Sequence, residues 1–183
     1  MGVMSIPPRA AVVRLVLGTV AALAVTASMA APAQGSRGEY QVKAAFLYKL
    51  VNFVHWPPSA EPSAQLVIGV IGNDFFSNAL DYVVRGKSVQ GREIVVRLLS
   101  ADDDLGACDI VFVSGFAARH TADILVRAQT PGVLTVGETP GFLREGGLVR
   151  FYVEGNRIRV QINAAGADQA GLKISSQLLS LAR

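Results

Sequence analysis

Cysteine, histidine and charge are all scarce in this chain of 183 residues: one Cys, two His, and 17% of residues charged. A single cysteine excludes a disulfide framework and a multi-cysteine zinc module. The two histidines, His55 and His120, have no H-E-x-x-H neighbour, so a zinc hydrolase has no ligand set. Low charge beside 51% apolar residues excludes intrinsic disorder and requires a packed core. Beyond the N-terminal segment no run approaches the roughly 18 apolar residues of a membrane span.

The formal charge of +3 dissolves once the basic residues are placed. Residues 1–14 carry Arg9 and Arg14 and no acid, Leu15 to Val25 is apolar except for Gly18 and Thr19, and Ser28, Ala30, Ala31 and Ala33 follow. This is the order of a secretory signal peptide, with a cut expected after Ala33 and Ala30 as the second choice. An uncleaved anchor is the alternative, for which the stretch is short and interrupted. The expected organisation is a leader over residues 1–33 and a single domain over 34–183. Losing the leader takes two of 17 bases and none of 14 acids, leaving 15 against 14. A near-neutral domain lacks the basic surplus that nucleic acid demands. No cysteine stands near the cleavage site to carry a lipid, so the expectation is a soluble exported protein, with the bacterial periplasm as its place.

Gln34 to Gly38 reads as a frayed start. From Glu39 to His55 the residues Leu47, Leu50, Val51 and Val54 recur at helical spacing, flanked by Phe46 and Phe53 and stopped by Pro57-Pro58. Leu66 to Gly72 is a continuous apolar run, as in a strand buried on both faces. Asn73-Asp74 supplies a helix N-cap, Phe76, Ala79, Leu80, Val83 and Val84 its apolar stripe, and Gly86 its stop. Strands over Ile94 to Leu99, Asp109 to Ser114 and Val133 to Val136, with a helix from Ala117 to Ala128, complete an α/β alternation: a parallel-rich sheet flanked by helices on both faces. The period then changes to two. Val149, Phe151 and Val153 alternate with Arg150, Tyr152 and Glu154, Ile158, Val160 and Ile162 alternate with Arg157, Arg159 and Gln161, and Gly155-Asn156 between them predicts an antiparallel hairpin. In that register Val153 faces Ile158, Phe151 faces Val160, Val149 faces Ile162, Glu154 faces Arg157 and Tyr152 faces Arg159. A closing helix is expected from Ala167 to Ala182.

Enzyme chemistries fail mostly on missing residue types. His55 beside Trp56 reads as a helix-end or exposed residue. His120 with Asp123 three residues on gives a surface contact as readily as a dyad. Ser114-Gly115 follows an apolar strand, but Phe112 and Phe116 stand where a G-x-S-x-G elbow needs small residues, so a hydrolase centred on Ser114 is the weakest reading. Gly69-x-x-Gly72 and Gly141 to Gly147 form neither a dinucleotide fingerprint nor a P-loop. Asp102-Asp103-Asp104 sits before the Asp109 to Ser114 strand, not at the carboxyl end where a phosphoacceptor carboxylate belongs, and reads as a solvated loop. No cofactor and no metal site is expected.

Two binding surfaces remain. The carboxyl ends of the strands carry Asn73-Asp74-Phe75, Ser114-Gly115-Phe116 and Gly137-Glu138-Thr139, a crevice for a small polar ligand or ordinary turn chemistry. The hairpin presents Arg150, Tyr152, Arg157 and Arg159 on one face, an interface composition or a solvated sheet face.

The helix Glu39-Tyr40-Gln41-Val42-Lys43-Ala44-Ala45-Phe46-Leu47-Tyr48-Lys49 running into Phe53-Val54-His55-Trp56-Pro57, the segment Ala107-Cys108-Asp109-Ile110-Val111-Phe112-Val113-Ser114, and the tail from Gly146-Gly147 through Phe151, Asn156-Arg157-Ile158-Arg159 and Ile162-Asn163 to Gly171-Leu172-Lys173-Ile174-Ser175-Ser176-Gln177-Leu178-Leu179 carry a resemblance. In order and spacing they resemble the YfiR/HmsC-like periplasmic family, over nearly the whole exported chain. The resemblance implies an α/β sandwich, often a homodimer, and a role without catalysis. It implies that the chain represses an inner-membrane diguanylate cyclase by binding its periplasmic sensing region, relieved in relatives by an outer-membrane lipoprotein, with cyclic di-GMP and biofilm formation as the output. A receptor that takes a small ligand in the strand-end crevice and feeds a sensor kinase is the alternative. Relatives carry paired cysteines tied to redox control, whereas this chain has only Cys108, expected to be a buried small hydrophobe.

Overall fold

The computed structural model describes residues 37–57, 63–155 and 157–182. The expected leader, Pro58 of the proline stop and Asn156 of the hairpin turn lie outside those residues. In chain order the elements are α1 (Arg37–Val51), β1 (Val54–His55), β2 (Gln65–Ile71), α2 (Asp74–Val84), β3 (Ser88–Val89), β4 (Arg92–Leu99), β5 (Ile110–Val113), α3 (Thr121–Arg127), β6 (Leu134–Gly137), β7 (Val149–Glu154), β8 (Arg157–Ile162), α4 (Ala164–Gln169), β9 (Lys173–Ile174) and α5 (Ser176–Leu181).

The apolar run becomes β2, buried from Leu66 to Ile71, because it has neighbours on both sides and helices on both faces. The seven-stranded sheet runs β3-β4-β2-β5-β6-β7-β8. Strands β4, β2, β5, β6 and β7 are mutually parallel; β3 and β8 are antiparallel to their neighbours. The connection leaving β2 goes to one side and the connection leaving β5 goes to the other. The order therefore reverses between β2 and β5, which opens a crevice at their carboxyl ends.

Alternation of side chains gives the sheet two cores. On one face α1, α2 and α5 pack through Leu47, Leu50, Phe76, Leu80 and Leu178 onto Ile68, Phe112 and Phe151. Phe76 stacks on Phe112 with ring centroids 3.9 Å apart, and Phe46 meets Phe151 edge-on at 5.5 Å, fixing α2 and α1 on the sheet. On the other face α3 packs Ile124 and Leu125 against Val111, Val113 and Phe142.

The hairpin register is as the alternation predicts, all five expected facing pairs included. Three expectations need correction. First, α1 begins at Arg37, so Arg37 and Gly38 are helical rather than frayed, and it ends at Val51. Val54 and His55 leave the helix because they pair with Ile174 and Lys173 in a second, two-stranded sheet. Second, the same pairing breaks the expected closing helix into α4, β9 and α5. Gly171, at φ +75°, turns the chain out of α4, and a new N-cap follows where the Ser175 hydroxyl accepts from the Leu178 N–H. Third, the crossover expected as one helix starts as a 3-10 helix over Gly115–His120 and becomes α-helical only at Thr121.

Candidate functional site

Each parallel strand at the switch point ends in a polar residue. Asn73 caps α2, its side-chain carbonyl accepting from the Phe76 N–H at 3.0 Å. Ser114 follows β5 and is fully buried; Glu138 follows β6. Helix α1 lies over these ends and sends in two buried polar side chains, Tyr40 and Lys43. The Lys43 ammonium contacts Oε1 of Glu138 and pairs with Glu39 one turn earlier at 2.5 Å. The other oxygen of Glu138 accepts from the Gly115 N–H at 2.9 Å. One carboxylate thus ties α1, the end of β6 and the turn after β5 together.

Burial alone would depress the Lys43 pKa, but the charge of Glu138 and the hydrogen bonds to Glu138 and Glu39 outweigh it and hold the value above that of an ordinary lysine. The Tyr40 phenol is raised above its ordinary value by burial first and by the Glu138 charge second, with the Asn73 side chain and the Lys43 ammonium opposing. The site is therefore an ammonium, a carboxylate and a neutral phenol, all charge-compensated internally. The hydroxyl of Ser114 is buried without a hydrogen-bond partner.

Gly72 makes the close approach possible. It sits at φ +83°, and a Cβ there would lie 2.8 Å from the Ser114 Oγ and 3.2 Å from the Ala117 nitrogen. Gly72→Ala is expected to cost about 2 kcal/mol through the left-handed backbone and these contacts. Ser114→Ala, which removes an unpartnered hydroxyl, is expected to leave stability nearly unchanged. Thermal unfolding of the two variants measures both effects.

Of the sequence-derived site residues, Asn73, Ser114 and Glu138 come together at the switch point, whereas Asp74 is exposed on the first turn of α2. The hairpin residues form a separate group. Arg150 donates to Gln161 at 3.0 Å and lies 5.3 Å from the Tyr152 ring centroid, with its Nε buried and unpartnered. Arg157 is exposed, and the ion pair on this face is diagonal, Arg159 to Glu154 at 3.1 Å. Tyr40 and Lys43 were missed among the site residues. Their signal was present: Tyr40, Lys43, Ala44, Leu47, Leu50 and Val51 share one helical stripe, and a lysine on a buried stripe requires an acidic partner.

Arg92, Asp109, Asp103 and Asp104 have structural roles. Arg92 donates to the carbonyls of Ser63 and Gln65 and pairs with Asp109 at 2.8 Å, while Asp109 accepts from the Val67 N–H, which clamps the amino ends of β2, β4 and β5. Asp103 and Asp104 accept backbone N–H groups of their own loop, from Ser100 and Gly106, as a solvated turn does. His55 and His120 are exposed. Cys108 is a free, buried thiol whose pKa is raised chiefly by burial. Maleimide labelling is therefore expected to follow unfolding: the native chain stays unlabelled while the denatured chain reacts fully.

Among the described residues no helix is long and apolar enough to cross a membrane, and no group of His, Cys, Asp and Glu is placed to hold a metal ion. A crystal structure titled as that of a conserved domain protein from Vibrio cholerae O1 biovar El Tor is similar at a TM-score of 0.52 and 14% identity, over 78% of this chain and 58% of that one. At that identity the likeness shows the fold alone, and the chain spans little more than half of that structure's length. A search of curated proteins finds no match. The family model described as YfiR/HmsC-like matches residues 40–183, from the buried tyrosine of α1 to the last residue, and by that match this chain belongs to the YfiR/HmsC-like family.

Proposed function

We propose that this protein is a non-enzymatic regulator, exported to the periplasm, that binds the periplasmic sensing region of an inner-membrane diguanylate cyclase and lowers cyclic di-GMP synthesis. Family membership over residues 40–183 supports the reading. The observation that carries it in the structure is the filling of the strand-end crevice by the chain's own Tyr40 and Lys43, with Lys43 bound to Glu138. Where other open α/β sheets take a ligand, this one places an internal ion pair. That leaves outer surfaces, the Arg150, Tyr152, Arg157 and Arg159 face among them, for recognition. Homodimerisation and relief by an outer-membrane lipoprotein belong to the same proposal.

The test is physical association. A tagged full-length chain expressed in its own host is purified from detergent-solubilised membranes, and a diguanylate cyclase is expected to co-purify. Its absence from material that still carries the folded chain counts against the reading. A small-ligand receptor would instead show a ligand-dependent rise in melting temperature, whereas the present reading predicts none from metabolites offered alone.

A further inference from the structure

Strand β4 pairs with β2 along Glu93 to Leu99, but on its other side β3 covers only Arg92 and Glu93. The backbone direction along it is fixed by two bonds. The Glu93 N–H points into the sheet, to the Ala64 carbonyl, and the Ile94 N–H points outward, to the Lys87 carbonyl. Val96 and Leu98 follow Ile94 in phase, so their N–H and C=O groups face the open edge, where the described residues place no further strand. The residues there are Val95 and Val96, half-buried, Arg97, exposed, and Leu98, 53% exposed. No proline or lysine interrupts this segment, and Arg97 makes no hydrogen bond or ion pair among the described residues.

An open, apolar edge strand is a template for another strand, and charge is one of the devices that decides which strand is admitted. Two copies of this chain meeting antiparallel through Val96 and Leu98 would set Arg97 directly opposite Arg97 in the closely spaced pair of the ladder, where like charges repel. In that register the edge is guarded against itself and open to a segment of opposite charge. We propose that the β4 edge from Val95 to Leu99 receives an extended segment of another protein, alternating apolar in sequence, with an acidic residue opposite Arg97. This holds whichever protein carries the segment and does not rest on a cyclase partner.

The probes are two end-blocked peptides of alternating Thr and Val, one with a central Asp and one with a central Lys in its place. Fluorescence anisotropy with the exported chain is expected to show the Asp peptide binding about fivefold more tightly. Amide exchange is expected to slow at Val96 and Leu98. Leu98→Pro removes an N–H that points outward, so the ladder to β2 survives and peptide binding is lost. Arg97→Glu, which keeps every backbone group, reverses the order of the two peptides. Binding of neither peptide, equal binding of both, protection of β8 instead of β4, or an unchanged order in Arg97→Glu would each overturn the proposal.

Discussion

Lys43→Met is expected to lower the unfolding free energy by about 3–4 kcal/mol, because it leaves the carboxylate of Glu138 buried without its counter-charge. The side chains of Lys43 and Glu138 are only 7% and 11% exposed, so water does not compensate the loss. For a domain of this size that corresponds to a fall in melting temperature of roughly 10 °C. The double variant Lys43→Met/Glu138→Gln should recover to within about 1 kcal/mol of the wild type, since the glutamine carbonyl still accepts from the Gly115 N–H and no buried charge remains. Lack of recovery would mean that Lys43 acts through packing and not through the pair.

The same site sets the alkaline limit. Lys43 has a folded pKa above its unfolded value, so its contribution is complete below the unfolded pKa and is lost as pH rises through the folded one. Tyr40 is raised as well, so its neutral form also stabilises below its unfolded pKa and that contribution is lost above it. Wild-type stability should therefore fall steeply above roughly pH 10, and the double variant should fall less over the same interval. Equilibrium urea unfolding across that range distinguishes the two.

Phe142→Ala is expected to cost about 4 kcal/mol, the usual range for deleting a fully buried ring. The ring lies between two glycines. Its Cδ2–Cε2 edge faces Gly137 at the end of β6, its Cδ1–Cε1 edge faces Gly147 just before β7, and a Cβ added at either glycine would enter the ring. Gly137→Ala should therefore cost nearly as much as Phe142→Ala, through expulsion of the ring. The double variant Gly137→Ala/Phe142→Ala should cost much less than the sum, because the clash vanishes with the ring. Additive losses in chemical denaturation would contradict this packing.

The sheet was legible because its signals are local and repeated. The apolar run of β2, the Asn73 cap and the two-residue alternation of Val149 to Ile162 each dictate one element, and the hairpin register follows from the two-residue spacing between its alternating stretches. What was illegible depends on long-range pairing. Val54 and His55 look like the last turn of a helix until Lys173 and Ile174, far along the chain, pair with them; the same contact cuts the expected C-terminal helix in two. The site was half legible for the same reason. Strand-end positions Asn73, Ser114 and Glu138 follow from the alternation, whereas the bond from Lys43 to Glu138 joins residues 95 apart, and only the anomaly of a lysine on an apolar stripe foreshadows it. Cys108 ends the 3-10 turn Leu105–Ala107 just before β5 and is buried as a free thiol in the core under α3, as expected of a small hydrophobe.

The most direct test of the functional account is cellular cyclic di-GMP, measured in the host with the gene deleted and again with the wild-type chain restored. The account predicts a rise on deletion and a return on restoration. An unchanged level in the deletion strain, with the cyclase present and active, would contradict it.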